Sequence, residues 1–190
     1  MDEQQLWAAL AAGREAALRG KEQGAQLLIG GEMGIGNTTA AAAVGSVFTG
    51  LSPALMAGPG TGLDMAGISK KAKIIQKALE TNRPDSKDSL DVLKKVGGFE
   101  LAALVGFYIT SAQLGIPILV DGFIATSAAL AAVRLRPELS DWMLFAHLSE
   151  EPGHSALLVA LESHALIDLE MRLGEASGAA VAVPLLRMAC

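Results

Sequence analysis

Over Asp2–Lys21 apolar residues are interspersed with charged ones at helical spacing, which predicts an amphipathic first helix. Gln26–Ile29 is a short apolar run suited to a strand. It feeds directly into GGEMGIGNTTAAAAV, a glycine-rich turn and then an alanine-rich helix capped by Asn37 or Thr38. A second glycine cluster, AGPGTGLD, precedes a charged helix from about Met65 to Thr81, and Asn82–Ser89 reads as a polar surface loop. Leu90–Val96 and Phe99–Leu114 read as helices, Pro117–Val120 as a buried strand and Phe123–Leu135 as a helix. Trp142–Ala146 is the next expected strand, Ser155–Ser163 a helix, Ile167–Leu169 a weaker strand, and an apolar helix closes the chain.

The rhythm of strand, glycine-rich or polar turn and helix predicts a Rossmann-like α/β fold, a mostly parallel sheet with helices on both faces. Ligands bind such sheets beyond the carboxyl ends of the strands. Glu32, Asp121, Ser149 and Glu175 fall at or near those predicted ends.

Composition narrows this picture. At 190 residues the chain suits one domain with a real core, and residues 1–190 are expected to form a single α/β core domain. Hydrophobic residues at 51% argue against disorder, and the low 18% of charged residues suggests a surface partly covered by a partner subunit. With a net charge of −5 and no basic run longer than Lys70–Lys71, no nucleic-acid footprint is visible. Cys190 is the only cysteine, which excludes a disulfide within the chain and a cysteine-based metal site and fits a reducing compartment. The first residues carry acids and no apolar signal core, so a cytoplasmic location is expected.

A mean hydropathy of +0.40 raises the question of a membrane span. Leu101–Val120 is uncharged and long enough to span. Thr110, Ser111, Gln113, Gly115 and Pro117 interrupt it, however, and divide it into a buried helix and a short strand, so no membrane partner is expected.

Several segments carry candidate chemistry. Gly31–Thr39 lacks the lysine of a Walker loop and the spacing of a dinucleotide fingerprint. Its glycines still allow backbone N–H groups to approach an anion at a helix start. Glu32, a carboxylate inside that turn, suits ribose hydroxyls or a second substrate better than a phosphate. Gly58–Asp64 with Lys71 would complete a monophosphate site. By spacing alone Lys71 reads as part of a solvated helix face with Lys70, Lys73 and Lys77. Asp121 either serves a strand-end site or caps the next helix. His147, His154 and the Glu150–Glu151 pair allow a metal reading, but their spacing matches no common zinc pattern, and no metal is expected. Ser149 and Gly153 suit phosphate instead. Glu175 follows Gly174 and precedes a run of small residues. A carboxylate in an apolar, water-poor cleft is tuned toward proton abstraction, whereas an acid at a helix start simply favours the dipole, and spacing does not separate the two.

Taken together and in order, GEMGIGNTTAAAA, GPGTGLD, LDVLKKVGGFELAAL, PILVDGFIATSAAL, SEEPGH and IDLEMRLGEASGAA resemble the nicotinate-nucleotide–dimethylbenzimidazole phosphoribosyltransferase family over nearly the whole chain. The resemblance implies a homodimeric enzyme with a Rossmann-like sheet and a small helical domain. It implies transfer of ribose 5-phosphate from nicotinate mononucleotide to 5,6-dimethylbenzimidazole, giving α-ribazole 5′-phosphate and nicotinate with inversion at the sugar carbon and no cofactor. Within the motif MRLGE-x-SGA it makes Glu175 the catalytic base, in a secluded cleft facing the sugar carbon, and sets Leu173 against the aromatic base. It implies nucleotide and phosphate contacts at Glu32, Gly34, Gly60, Lys71, Asp121 and Ser149. Family chains run to roughly twice this length. The resemblance therefore also implies a chain shortened at both ends, with the small helical domain and part of the benzimidazole pocket largely missing. The alternative reading is a partial form of the fold that binds nucleotide or dimerises without turnover.

Overall fold

The computed structural model describes residues 1–189, and Cys190 lies outside the described residues. In chain order the elements are α1 (Glu3–Glu22), β1 (Leu28–Gly30), α2 (Thr38–Thr49), α3 (Pro53–Met56), α4 (Met65–Asn82), α5 (Ser89–Val96), α6 (Phe99–Gln113), β2 (Ile118–Val120), α7 (Phe123–Leu135), β3 (Met143–Ser149), α8 (His154–Ala160), β4 (Ala165–Met171) and α9 (Ser177–Ala189). A 3-10 turn, Pro137–Trp142, leads into β3.

Asp2 starts α1 because its carboxylate accepts the Gln5 N–H at 2.7 Å while Gln5 Oε1 accepts the Asp2 N–H at 2.9 Å, a closed capping box. Leu6, Ala9, Gly13 and Ala17 form the buried stripe of the helix. Its neighbour is α6, and the two backbones meet at a glycine pair. A Cβ on Gly13 would lie 1.7 Å from the Ala103 carbonyl oxygen, and one on Gly106 would lie 2.0 Å from that of Leu10. Only hydrogen fits at this crossing. Gly13→Val is expected to cost about 1–3 kcal/mol through overpacking and to lower Tm by several degrees. An unchanged thermal midpoint would show that the helices can separate freely.

The four strands lie in the order β1-β2-β3-β4, and each neighbouring pair is parallel. All four carboxyl ends therefore emerge along one edge of the sheet. Ile118, Val120, Met143 and Phe145 join the main core with Leu101, Val105 and Tyr108 of α6, Leu130 of α7 and Leu157 of α8. On the opposite face Leu119 and Ala146 meet Ala179 and Ala182 of α9. Helices thus cover both faces, as the sequence pattern predicts.

Most element boundaries agree with expectation to within a few residues. β4 is longer than its apolar run, because backbone pairing with β3 holds residues whose side chains are largely exposed. α8 ends at Ala160, short of the expected Ser163. Among the described residues no helix is long and apolar enough to cross a membrane, and the uncharged stretch divides into α6 and β2.

Candidate active site

The loops that leave the four strand ends converge on one open cleft with about 510 Å³ of empty space. After β1 come Glu32, Met33, Gly34 and Thr38; after β2, Asp121 through Ala125; at the end of β3, Ser149, with Glu151 beyond it; after β4, Arg172, Leu173 and Gly174. Gly60 and Thr61 of the second glycine loop and His147 of β3 complete the lining. Six expected site residues, Glu32, Gly34, Gly60, Asp121, Ser149 and Leu173, therefore share one cleft.

Asp121 is buried and does not cap the helix that follows it. Its Oδ1 accepts the Ala179 N–H at 2.8 Å, which places the carboxylate against the first turn of α9 and docks that helix on the sheet. His147 Nδ1 lies 3.6 Å from the same oxygen. Ser149 is held through its backbone, and its Oγ accepts the Glu151 N–H at 3.3 Å. Glu32 folds back so that its Oε1 accepts the Met33 N–H at 2.8 Å.

Lys71 corrects the expectation of a solvated helix face. It is buried, and its Nζ donates to the Gly58 carbonyl at 2.8 Å beneath the second glycine loop. Loss of hydration lowers its pKa, and the nearby Glu151 carboxylate opposes that shift. Glu151 was not singled out by the sequence except as half of an acidic pair. It is buried, and its Oε1 accepts the Gly60 N–H at 2.7 Å while Oε2 has no hydrogen-bond partner. Gly58 leaves it room, since a Cβ there would lie 2.2 Å from Oε2. The second glycine loop is thus bracketed by a buried cation and a buried carboxylate.

Glu175 corrects the expectation of a secluded cleft. Its side chain is exposed and does not line the cavity. Its neighbours Gly174 and Ala176 are too small to cover it, and Leu173 beside it is 72% exposed. The backbone nonetheless fixes it beside the first glycine turn, because its N–H donates to the Glu32 carbonyl at 2.8 Å. Gly174, Glu175 and Ala176 hold φ values of 80°, 58° and 59° in succession. Two consecutive non-glycine residues in the left-handed region store about 1–3 kcal/mol each, and such strain clusters at functional sites.

His154 has both ring nitrogens engaged within the protein. Its Nδ1 accepts the Ser149 N–H at 2.8 Å, so the proton belongs on Nε2, which donates to Thr126 Oγ1 at 2.9 Å. Both nitrogens are engaged, and no group of His, Cys, Asp and Glu among the described residues is arranged to hold a metal. Burial, reinforced by nearby His147, pushes the His154 pKa down to about 3 from its ordinary 6.5. On acidification the unfolded chain therefore takes up this proton first. The stability contributed is complete above pH 6.5 and is lost toward pH 3, at up to about 1.4 kcal/mol per pH unit. Denaturation at pH 7.5 and 5.5 should differ by roughly 1 kcal/mol from this residue, and His154→Gln should shrink the difference. The same pH dependence in both proteins would assign it elsewhere.

The sequence model of a family described as phosphoribosyltransferase matches residues 1–190. Nicotinate-nucleotide–dimethylbenzimidazole phosphoribosyltransferase of Pseudomonas putida strain F1 is 60% identical over 190 residues, 100% of this chain and 54% of that protein. The protein of the same name from Xanthomonas campestris pv. campestris strain B100 is 57% identical over 186 residues, 98% of this chain and 53% of that one. A crystal structure of CobT from Thermus thermophilus matches with a TM-score of 0.94 and 44% identity, covering 100% of this chain and 56% of that chain. The chain spans about half the length of the curated relatives it matches.

Proposed function

The chain belongs to the nicotinate-nucleotide–dimethylbenzimidazole phosphoribosyltransferase family, and from that premise we propose that it moves ribose 5-phosphate from nicotinate mononucleotide to a benzimidazole-type base, giving α-ribazole 5′-phosphate and nicotinate. The observation that carries this reading is the meeting of Glu32, Gly34, Gly60, Asp121, Ser149 and Leu173 in one cleft at the strand ends.

In this reading the phosphate anchors at the second glycine loop, with Lys71 beneath it and Ser149 opposite. Anchoring a remote group positions the sugar carbon for reaction. The bond from that carbon to the pyridinium nitrogen breaks, and its electron pair stays on nicotinate, which leaves without protonation. The benzimidazole nitrogen attacks from the opposite face, so the configuration inverts. Glu175 takes the proton from the other ring nitrogen. Met33 and Leu173, 55% and 72% exposed, offer the apolar surface on which a flat base would lie. A base seated there would displace water from Glu175 and supply the seclusion that its small neighbours do not.

We further propose a cytoplasmic homodimer whose 190 residues act as one α/β core, with neither nucleic acid nor membrane as partner. The test is direct assay of the purified protein with both substrates. Release of nicotinate and appearance of α-ribazole 5′-phosphate are expected. Calorimetric binding of nicotinate mononucleotide without turnover would select the partial form of the fold, and absence of both would overturn the assignment.

A further inference from the structure

Among the polar groups of the cleft, His147 has no part in the scheme above. The residue is 2% exposed yet lines the cavity. Its Nδ1 is sealed from solvent without a hydrogen-bond partner and lies 3.6 Å from Asp121 Oδ1. The ring is wedged beneath α9, where a Cβ on Gly178 would lie 1.8 Å from Nδ1. Its other edge lies beside Gly122, which also lines the cavity: a Cβ there would be 3.4 Å from Nε2.

We propose that His147 is a nucleotide-binding residue that accepts a hydrogen bond from a ribose hydroxyl through Nε2, with Asp121 fixing the tautomer. The inference rests on the functional reading above. A carboxylate at 3.6 Å favours a proton on Nδ1, because the other tautomer would set a nitrogen lone pair against a negative oxygen. Nε2 is then a bare acceptor. Burial lowers the ring's pKa, with Asp121 opposing, which favours the neutral ring. A phosphate monoester offers mainly acceptors, so an acceptor on this part of the cleft floor matches a sugar hydroxyl instead. The division of labour follows. Lys71 and the second glycine loop hold the phosphate, and the His147–Asp121 pair reads the sugar.

The test is calorimetry with nicotinate mononucleotide and its 2′-deoxy and 3′-deoxy forms against the wild-type protein, His147→Phe and His147→Gln. His147→Phe should weaken the parent nucleotide roughly 3- to 10-fold, the range of one neutral hydrogen bond. That penalty should vanish for the deoxy form lacking the partner hydroxyl. His147→Gln, whose amide oxygen can take the place of Nε2, should recover most of the affinity. His147→Leu, smaller than the native ring, gives the same readout if the phenylalanine variant does not fold. An equal penalty for all three ligands would make His147 a packing residue and overturn the inference. Failure of the wild-type protein to bind nicotinate mononucleotide would instead overturn the functional reading, and the inference with it.

Discussion

Glu175→Gln is expected to lower turnover by about 10²- to 10⁴-fold while nicotinate mononucleotide binds with nearly unchanged affinity. Glutamine keeps the size of the side chain and leaves untouched the backbone N–H that reaches the Glu32 carbonyl. In the proposed reaction it removes only the ability to take a proton as the attacking nitrogen becomes cationic. The loss should appear in kcat and kcat/KM together, because a general base acts in the transition state more than in the ground state. Steady-state kinetics on a protein with unchanged circular dichroism makes the measurement. Near-normal turnover would remove Glu175 from the chemistry and leave its strained backbone without a catalytic explanation.

The second large effect is expected at Lys71. Replacing it with alanine should weaken nucleotide binding roughly 10- to 100-fold, the range for a charge-assisted contact, with a much smaller change for the aromatic base. Stability should fall as well, because Glu151 would remain buried beside the second glycine loop without its neighbouring cation. The two consequences separate in the double variant Lys71→Met, Glu151→Gln. Methionine fills the slot, and glutamine can still accept the Gly60 N–H. Stability should return while nucleotide affinity stays low. Recovery of affinity in that variant, or base binding more damaged than nucleotide binding, would refute the phosphate role of Lys71.

The sequence made the architecture readable because helical and strand periods alternate with glycine turns. α7 begins and ends where its apolar run does. β4 was fainter because its residues are mostly exposed or half-buried, so edge pairing rather than an apolar run defines it. Lys71 read as a solvated lysine because three other lysines surround it on the same helix. What buries it are Gly58 and Glu151, one in the preceding loop and the other far along the chain. Glu175 differs in the opposite sense. Spacing left it between a secluded base and a helix-start acid, and the seclusion that the family resemblance implied is absent because its small neighbours cover nothing by themselves. His154 allowed a metal reading that its spacing did not favour, and its two nitrogens are spent on a strand-end amide and a threonine of α7. Local pattern therefore set Glu32, Asp121 and Ser149 at strand ends, where one cleft gathers them, while the state of individual side chains depended on partners that spacing does not reveal.

Glu175 and Glu32 follow β4 and β1, opposite margins of the sheet, yet a backbone hydrogen bond of 2.8 Å fastens one to the other. The strand ends are therefore girdled by a closed hoop rather than fringed by free flaps. A shift at the first turn is therefore handed directly to the backbone of Glu175, the proton acceptor of the proposed reaction. Bulk added at Gly31, where a Cβ would meet that of Ala176 at 2.5 Å, would push on the residue next to Glu175 and so is expected to mis-aim the acid of the proposed reaction.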